Sequence, residues 1–180
     1  MDKTVIINGT NNRYQINKVR KETEKTCGVK IRKVTEKCGL SLDYFYTENQ
    51  INIINELHEY NPEVSLDNKI IIRQIENKLN GYKHQDIIKK RYNEASFIKL
   101  DETINKLYDC QLNCFYCKEK TSILYEVVRE MKQWTLDRIN NDLGHNTDNV
   151  IISCLDCNLK RRKTNKDAFL FTKQLHVVKS

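Results

Sequence analysis

Four cysteines in the C-terminal part of the chain have the type and the spacing of ligands for a metal ion. Cys114 and Cys117 form one Cys-x-x-Cys pair, and Cys154 and Cys157 form a second pair after 36 intervening residues. A Cys-x-x-Cys turn brings both sulfurs to one side, and four thiolates suit a closed, tetrahedral, structural Zn²⁺ site. We therefore predict one structural zinc ion here, whose affinity contributes folding free energy on the order of 10 kcal/mol. Cys110 is a competing ligand, and four unrelated core cysteines are the alternative interpretation.

A run of basic residues follows the second cysteine pair and predicts contact with a polyanion. Lys160, Arg161, Arg162 and Lys163 are consecutive, and residues 160–179 contain seven Lys or Arg against one acid. Phosphate contacts from such side chains give affinity for nucleic acid without reading its sequence. The alternative is a solvated helix end where cations meet the helix dipole favourably.

The charge of the whole chain is compatible with nucleic-acid binding. The formal net charge is +7 over 180 residues. Residues 13–37 contain nine Lys or Arg against three acids, whereas residues 38–68 contain six acids and no Lys or Arg. The basic blocks at residues 13–37 and 160–179 lie on either side of this acidic segment and favour a polyanion partner. Charge alone is equally compatible with a solvated surface.

The compartment is expected to be intracellular and reducing. The sequence has no stretch of 18 apolar residues for a membrane span, and its first apolar run is too short for a signal peptide. In such a compartment seven cysteines are more often metal ligands or free thiols than disulfides. Cys27 and Cys38, which have no partner pair nearby, are interpreted as free thiols.

Periodicity and turn residues predict a mostly helical N-terminal region. The capping-box pattern of residues 47–50, followed by apolar residues at helical spacing, predicts a helix that Pro62 ends. A second helix is expected from residue 65 or 67 to Gly81, and a third over residues 85–92. The last two form a helical hairpin, with a DNA-reading helix-turn-helix as the alternative.

The C-terminal region is expected to combine strands with helices. A helix, a strand, a polar loop, a second strand and a basic helix are predicted at residues 101–108, 133–136, 139–148, 150–153 and 158–171. The fold class is therefore α+β, with a helical region over residues 1–100 and a zinc-binding region over residues 101–180.

Four short motifs around the cysteine pairs form one recognisable pattern. They are Cys-Phe-Tyr-Cys at 114–117, Leu-Asp-Arg-Ile-Asn-Asn at 136–141, Gly-His-Asn-Thr-Asp-Asn-Val at 144–150 and Cys-Leu-Asp-Cys-Asn-Leu-Lys at 154–160. Together they resemble an HNH endonuclease, over about residues 104–172. More narrowly, the segment is similar to treble-clef, zinc-stapled HNH proteins of phages and large DNA viruses, including phage endonucleases that resolve Holliday junctions. The resemblance implies a ββα-metal unit and, for a viral protein, the cytoplasm or nucleus of the host. It leaves open whether the partner is linear DNA, branched DNA or another nucleic acid.

The resemblance implies roles around one catalytic Mg²⁺ or Mn²⁺. Asp137 matches the metal carboxylate of the family, and Asn158 matches the second metal ligand. Asn149 matches the asparagine that fastens the hairpin loop by hydrogen bonds. Phosphodiester hydrolysis needs a base for water and a cation for the developing charge, and a hard cation prefers oxygen ligands.

The sequence departs from the family at the general base. Arg138 replaces the usual histidine, and a guanidinium cannot accept a proton from water. We therefore expect Arg138 to bind a phosphate and His145 to act as the base. The alternative is that His145 is a loop residue that only contacts DNA or solvent. A metal that lowers the pKa of its water could also work with a weaker base. The predicted function is a metal-dependent DNA endonuclease; a catalytically inactive zinc-stabilised nucleic-acid-binding protein and a zinc-stabilised protein-interaction domain are the alternatives.

Overall fold

The computed structural model of the protein describes residues 29–32, 40–59 and 66–175. The chain divides into two compact units, residues 1–30 and residues 31–180, and every element below belongs to the second unit. The predicted free thiols Cys27 and Cys38 lie outside the described residues, as does Pro62.

The described part of the second unit is α+β, as predicted, with five α-helices and one antiparallel pair of strands. The helices are α1 (Thr47–His58), α2 (Leu66–Ile88), α3 (Leu100–Asp109), α4 (Leu155–Arg161) and α5 (Lys166–Gln174). The strands are β1 (Trp134–Arg138) and β2 (Val150–Cys154), and 3₁₀ turns cover Leu42–Phe45 and Thr147–Asn149. No helix within these ranges is long and apolar enough to cross a membrane.

Helix α2 replaces the predicted helical hairpin, because it runs without a break through Gly81. A glycine inside a helix costs about 1 kcal/mol relative to alanine. The buried side of the helix continues beyond it: the Tyr82 hydroxyl accepts a hydrogen bond from the backbone of β1, and Asp86 is fully buried. These tertiary contacts outweigh the glycine, so the predictions of a hairpin and of a helix-turn-helix are wrong.

The predicted basic helix after residue 158 is two helices, α4 and α5, separated by residues 162–165. Arg162 ends α4 with a φ of 53°, in the region that favours glycine. Asn165 caps α5, since its side-chain oxygen accepts the backbone N–H groups of Asp167 and Ala168. The break turns the chain beside the hairpin loop.

One hydrophobic core joins α1, α2 and α3 to one face of the β-hairpin. Its buried members are Ile53, Ile54, Ile71, Ile75, Leu79, Ile98, Ile104, Leu107, Leu112, Ile123, Leu124, Trp134, Leu136, Val150 and Ile152. Side chains from both sides of residue 100 share this core, and the functional division into residues 1–100 and 101–180 stays a prediction.

The β-hairpin separates that core from a second, smaller cluster. The two strands pair with Asp137 opposite Ile151. Successive strand side chains alternate between faces, so Trp134 and Leu136 face the core while Thr135 and Asp137 face α4. On the α4 side the buried cluster comprises Cys114, Tyr116, Cys154, Cys157 and Phe169.

Candidate metal centre and hairpin–helix unit

Four cysteine sulfurs meet at the start of α4 in an arrangement that can hold one metal ion. The Sγ atoms of Cys114, Cys117, Cys154 and Cys157 all lie within 4.8 Å of one another. Metal–sulfur bonds of about 2.3 Å in a tetrahedron require sulfur–sulfur distances of roughly 3.8 Å. The Sγ atoms of Cys117 and Cys154 are 3.9 Å apart, which fits this geometry. Cys110 is not a member, and its thiol contacts a carbonyl of its own helix.

Two different turns bring the sulfurs together. Cys114 and Cys117 lie on a tight turn that a hydrogen bond of 3.0 Å closes, from the backbone N–H of Lys118 to the carbonyl of Cys114. Cys154 is the N-cap of α4, and its Sγ accepts the backbone N–H of Cys157 at 3.4 Å. The end of β2 and the start of α4 therefore supply the second pair from one continuous segment.

The thiols of Cys114 and Cys154 shift each other's pKa values. A hydrogen bond between the two side chains lowers the pKa of the Cys114 thiol and raises that of Cys154. Burial raises the pKa of Cys157. A metal binds thiolates, so metal binding at this cluster releases protons and weakens as the pH falls.

Asp137 lies on the α4 face of β1, where its carboxylate is engaged on both oxygens. Arg161 of α4 donates Nε–H to Oδ2 at 2.6 Å and Nη2–H to Oδ1 at 2.9 Å. The Tyr116 hydroxyl donates to Oδ2 at 2.7 Å, and burial together with this carboxylate raises the pKa of Tyr116. Asp137 is 4 % exposed and Arg161 is 0 % exposed, so the two form a buried, bidentate ion pair.

Arg161 is a structural residue of the hairpin–helix unit, which consists of β1, β2 and α4. Its guanidinium also donates to the backbone carbonyls of Thr164, at 2.7 Å, and of Arg138. It thereby joins β1, α4 and the turn after α4. The side chain of Arg161 has no exposed surface in this arrangement, and its contact with DNA stays a prediction.

Asn158 faces the same side of β1 as Asp137. Its Nδ2–H donates to the Thr135 hydroxyl at 3.0 Å, which donates in turn to the carbonyl of Ser153 at 2.8 Å. As the side chains stand, this pair does not fit a catalytic Mg²⁺ or Mn²⁺. Such a cation needs free oxygen donors, whereas both oxygens of Asp137 accept hydrogen bonds and a guanidinium already balances its charge.

Asn149 fastens the hairpin loop through the hydrogen bonds that were predicted for it. Its Nδ2–H groups donate to the carbonyls of Asn140 at 3.0 Å and Gly144 at 2.9 Å. Its Oδ1 accepts the backbone N–H of Asn140 at 2.9 Å. Both ends of the loop are therefore tied to one buried amide.

His145 lies on this loop but is buried against α2. Its Nδ1 lies 2.9 and 3.0 Å from the carboxylate oxygens of Asp86, and its backbone N–H donates to the same carboxylate at 2.6 Å. Burial lowers the pKa of His145, and the Asp86 carboxylate opposes that shift. Gly144 permits the approach, since a Cβ there would lie 2.5 Å from the Arg91 carbonyl oxygen.

Sequence reasoning missed Asp86. It lies 59 residues from His145 along the chain, in a helix whose local pattern gives no reason to single it out. The histidine was identified, but its partner follows only from the packing of α2 against the loop. Nε2 of His145 has no hydrogen-bond partner among the described residues.

A basic groove of about 1070 Å³ opens beside the hairpin loop. The cationic side chains that line it are Lys89, Arg91, Arg138, Arg162 and Lys163. Among the residues that the structure describes, its one acidic lining residue is Asp142, whose carboxylate lies 3.6 Å from Nη2 of Arg91. The predicted DNA contact Lys160 is exposed but is paired with Asp156 at 2.7 Å.

The predicted site residues thus fall into separate groups. The four paired cysteines form the candidate metal centre, and Asp137 and Asn158 share the face that α4 covers. Arg138 lines the groove with Arg162 and Lys163. His145 pairs with Asp86 instead of with Asp137 or Asn158.

Comparison of the chain with known family models, with curated proteins and with solved structures finds no match.

Proposed function

We propose that this chain acts on DNA as a zinc-stapled, metal-dependent endonuclease of the HNH type. The observation that carries the proposal is the placement of Asp137 and Asn158 on one face of a two-stranded hairpin. Helix α4 packs across that face, and Asn149 fastens the loop. This arrangement supports the proposal of a ββα unit, and the two cysteine pairs support the proposal of a treble clef. Zn²⁺ is the proposed structural metal, because four thiolates at tetrahedral spacing are its usual closed site.

The basic groove supports DNA as the substrate. Arg162 and Lys163 are exposed, and Arg138 is half-buried beside them. Burial lowers the pKa of Arg138, yet a guanidinium stays protonated at neutral pH. Contacts from these side chains to the phosphate backbone give affinity without sequence reading, and the net charge of +7 adds long-range attraction.

His145 is the proposed general base, and Asp86 determines which of its nitrogens can act. Nδ1–H donates to the Asp86 carboxylate, so Nε2 carries the lone pair that accepts a proton. The ring is 4 % exposed, and this role therefore requires the hairpin loop to move when DNA binds. His145→Gln should lower a cleavage rate by roughly 10²–10⁴-fold. An unchanged rate would leave His145 as a structural residue that fastens the loop to α2.

A second candidate, DNA binding without cleavage, is favoured by the ion pair of Asp137 with Arg161. The guanidinium supplies the positive charge that a catalytic cation would bring to this carboxylate. The endonuclease proposal therefore requires Arg161 to leave Asp137, and the second candidate requires it to stay. Arg138 in place of the usual histidine favours the second candidate as well.

Cleavage of supercoiled plasmid by the zinc-loaded full chain separates the two candidates. Wild-type protein with Mg²⁺ or Mn²⁺ should nick or linearise the plasmid. Asp137→Asn keeps the size of the side chain, and it should abolish cleavage while DNA binding in a mobility shift persists. Wild-type protein that binds DNA and cuts nothing with either cation would establish the second candidate.

The variant Arg138→His refines that result. Cleavage that begins only with this variant would identify a nuclease that has lost its base and kept its DNA-binding surface. Failure of the wild-type chain to bind any DNA would contradict both candidates.

A further inference from the structure

We propose that the segment directly after α2, through Lys89 and Arg91, forms a second wall of the DNA-binding groove. The inference rests on the proposed DNA-binding function. It assigns a role in phosphate binding to residues outside the segment that resembles HNH endonucleases.

Three separate segments of the chain line this groove. The hairpin contributes Arg138, and the turn after α4 contributes Arg162 and Lys163. The segment after α2, which precedes the hairpin in the sequence, contributes Lys89 and Arg91. Cations on both walls can contact phosphates on either side of a bound strand, whereas cations on one wall alone would leave one side of that strand in solvent.

Buried contacts hold the α2 segment in position against the hairpin loop. The backbone N–H of Arg91 donates to the Asp86 carbonyl at 2.8 Å. The Asp86 carboxylate binds the backbone N–H of His145 at 2.6 Å, and Gly144 lies against the backbone of Arg91. These contacts fix the backbone that carries the two cations, so that DNA binding needs little ordering of the main chain here.

The chemistry of the groove is that of a phosphate site. Asp142, its one acid, has a side chain that is 91 % exposed, and its ion pair with Arg91 is long at 3.6 Å. Such exposed pairs contribute little, so a phosphate can displace the carboxylate. Neutral amide donors are present as well, from Asn140, Asn141 and Asn165. Cations spread over three segments match the repeated charges of a phosphodiester backbone better than they match the charge of one small anion.

Arg162 gives independent support for a role of this groove in binding. Its φ of 53° and ψ of −111° form a conformation that favours glycine. Its side chain is exposed and lines the groove. A phosphate contact in the groove explains why a cation is present there.

The test is the salt dependence of binding to a fluorescent 30-base-pair duplex of arbitrary sequence, with the zinc-loaded full chain. Each phosphate contact contributes about 0.9 to the slope of log K against log salt. The double variant Lys89→Gln, Arg91→Gln should therefore lower the slope by about 1.8. It should also weaken binding by roughly ten- to a hundredfold at 0.1 M salt, equally for unrelated sequences.

Lys90→Gln is the matched control. Lys90 is exposed and adjacent, carries the same charge, and is not among the side chains that line the groove. Its loss should leave the slope at the wild-type value. The single variant Lys89→Gln changes only an exposed side chain, and a fall of about 0.9 in its slope is expected even if the double variant is unstable.

The possible failures of the two proposals are distinguishable. If Lys89→Gln matches Lys90→Gln while the double variant Arg162→Gln, Lys163→Gln still lowers the slope, the second wall is wrong and DNA binding stands. If the wild-type chain binds no duplex DNA, or binds RNA alone, the groove and the proposed function are both wrong.

Discussion

Replacement of Arg161 by methionine should destabilise the hairpin–helix unit strongly. The change leaves the buried Asp137 carboxylate without its counter-charge, with only the Tyr116 hydroxyl as a donor. It also removes the hydrogen bonds from the guanidinium to two backbone carbonyls, those of Thr164 and Arg138. Methionine fills most of the volume, so that the lost charge and hydrogen bonds dominate the effect.

The magnitude follows from the burial of both partners. Removal of one member of a buried ion pair costs about 3–5 kcal/mol, because the other is left buried and unpaired. For a unit of roughly 150 residues, about 2–4 °C of Tm is lost per kcal/mol, and Tm should fall by about 6–20 °C. Adding Asp137→Asn to Arg161→Met removes the unpaired carboxylate charge and should recover part of the lost Tm. Lys160→Ala breaks the exposed pair with Asp156, and it should leave Tm close to the wild-type value.

The assays are thermal unfolding, which gives Tm, and urea unfolding, which gives the free energy of unfolding. Both are followed by far-ultraviolet circular dichroism, with every variant loaded with zinc. Equal metal loading keeps the stabilisation from ligand binding constant among the variants. The reasoning is refuted if Arg161→Met lies within about 1 kcal/mol of wild type. It is also refuted if the double variant is no more stable than Arg161→Met alone.

Four further predictions test other parts of the structure. Elemental analysis should find about one zinc per wild-type chain and none in Cys154→Ser, which should be protease-sensitive. Wild-type protein should lose stability as the pH falls below about 6.5. Burial lowers the pKa of His145, so the unfolded chain binds more protons than the folded chain in this pH range. Urea unfolding at several pH values should show a weaker pH dependence of stability for His145→Gln than for wild type. Gly144→Ala should lower the free energy of unfolding by about 1–3 kcal/mol in the same assay, because its Cβ would meet a backbone oxygen at 2.5 Å. Gly81→Ala has open space around its Cβ and should raise the free energy of unfolding by about 1 kcal/mol. Arg162→Gly should gain about 1 kcal/mol by relief of its positive φ and, in the duplex-binding titration, weaken DNA binding.

The local features of the fold and the site could be predicted from the sequence. The cysteine pairs were identified by ligand spacing, which the structure meets with sulfurs within 4.8 Å of one another. The two strands were placed to within about two residues of Trp134–Arg138 and Val150–Cys154, because alternation over a few residues is a local property. The loop-fastening hydrogen bonds of Asn149 also form between residues close in sequence.

Features that depend on distant packing could not be predicted. Gly81 predicts the end of a helix when only neighbouring residues are considered, and contacts of Tyr82 with β1 decide otherwise. In a run of four basic residues, nothing local distinguishes the buried Arg161 from the exposed Arg162. The distinction comes from Asp137, 24 residues away on a different element.

The endonuclease proposal is tested most directly by asking whether Asp137 exchanges Arg161 for a divalent cation when DNA is bound. Electron paramagnetic resonance can count the Mn²⁺ bound to the zinc-loaded chain in complex with duplex DNA, after the signal of DNA alone is subtracted. The proposal predicts about one Mn²⁺ per wild-type chain in the complex and none with Asp137→Asn. No bound Mn²⁺ in the wild-type complex, or equal binding by Asp137→Asn, would contradict it.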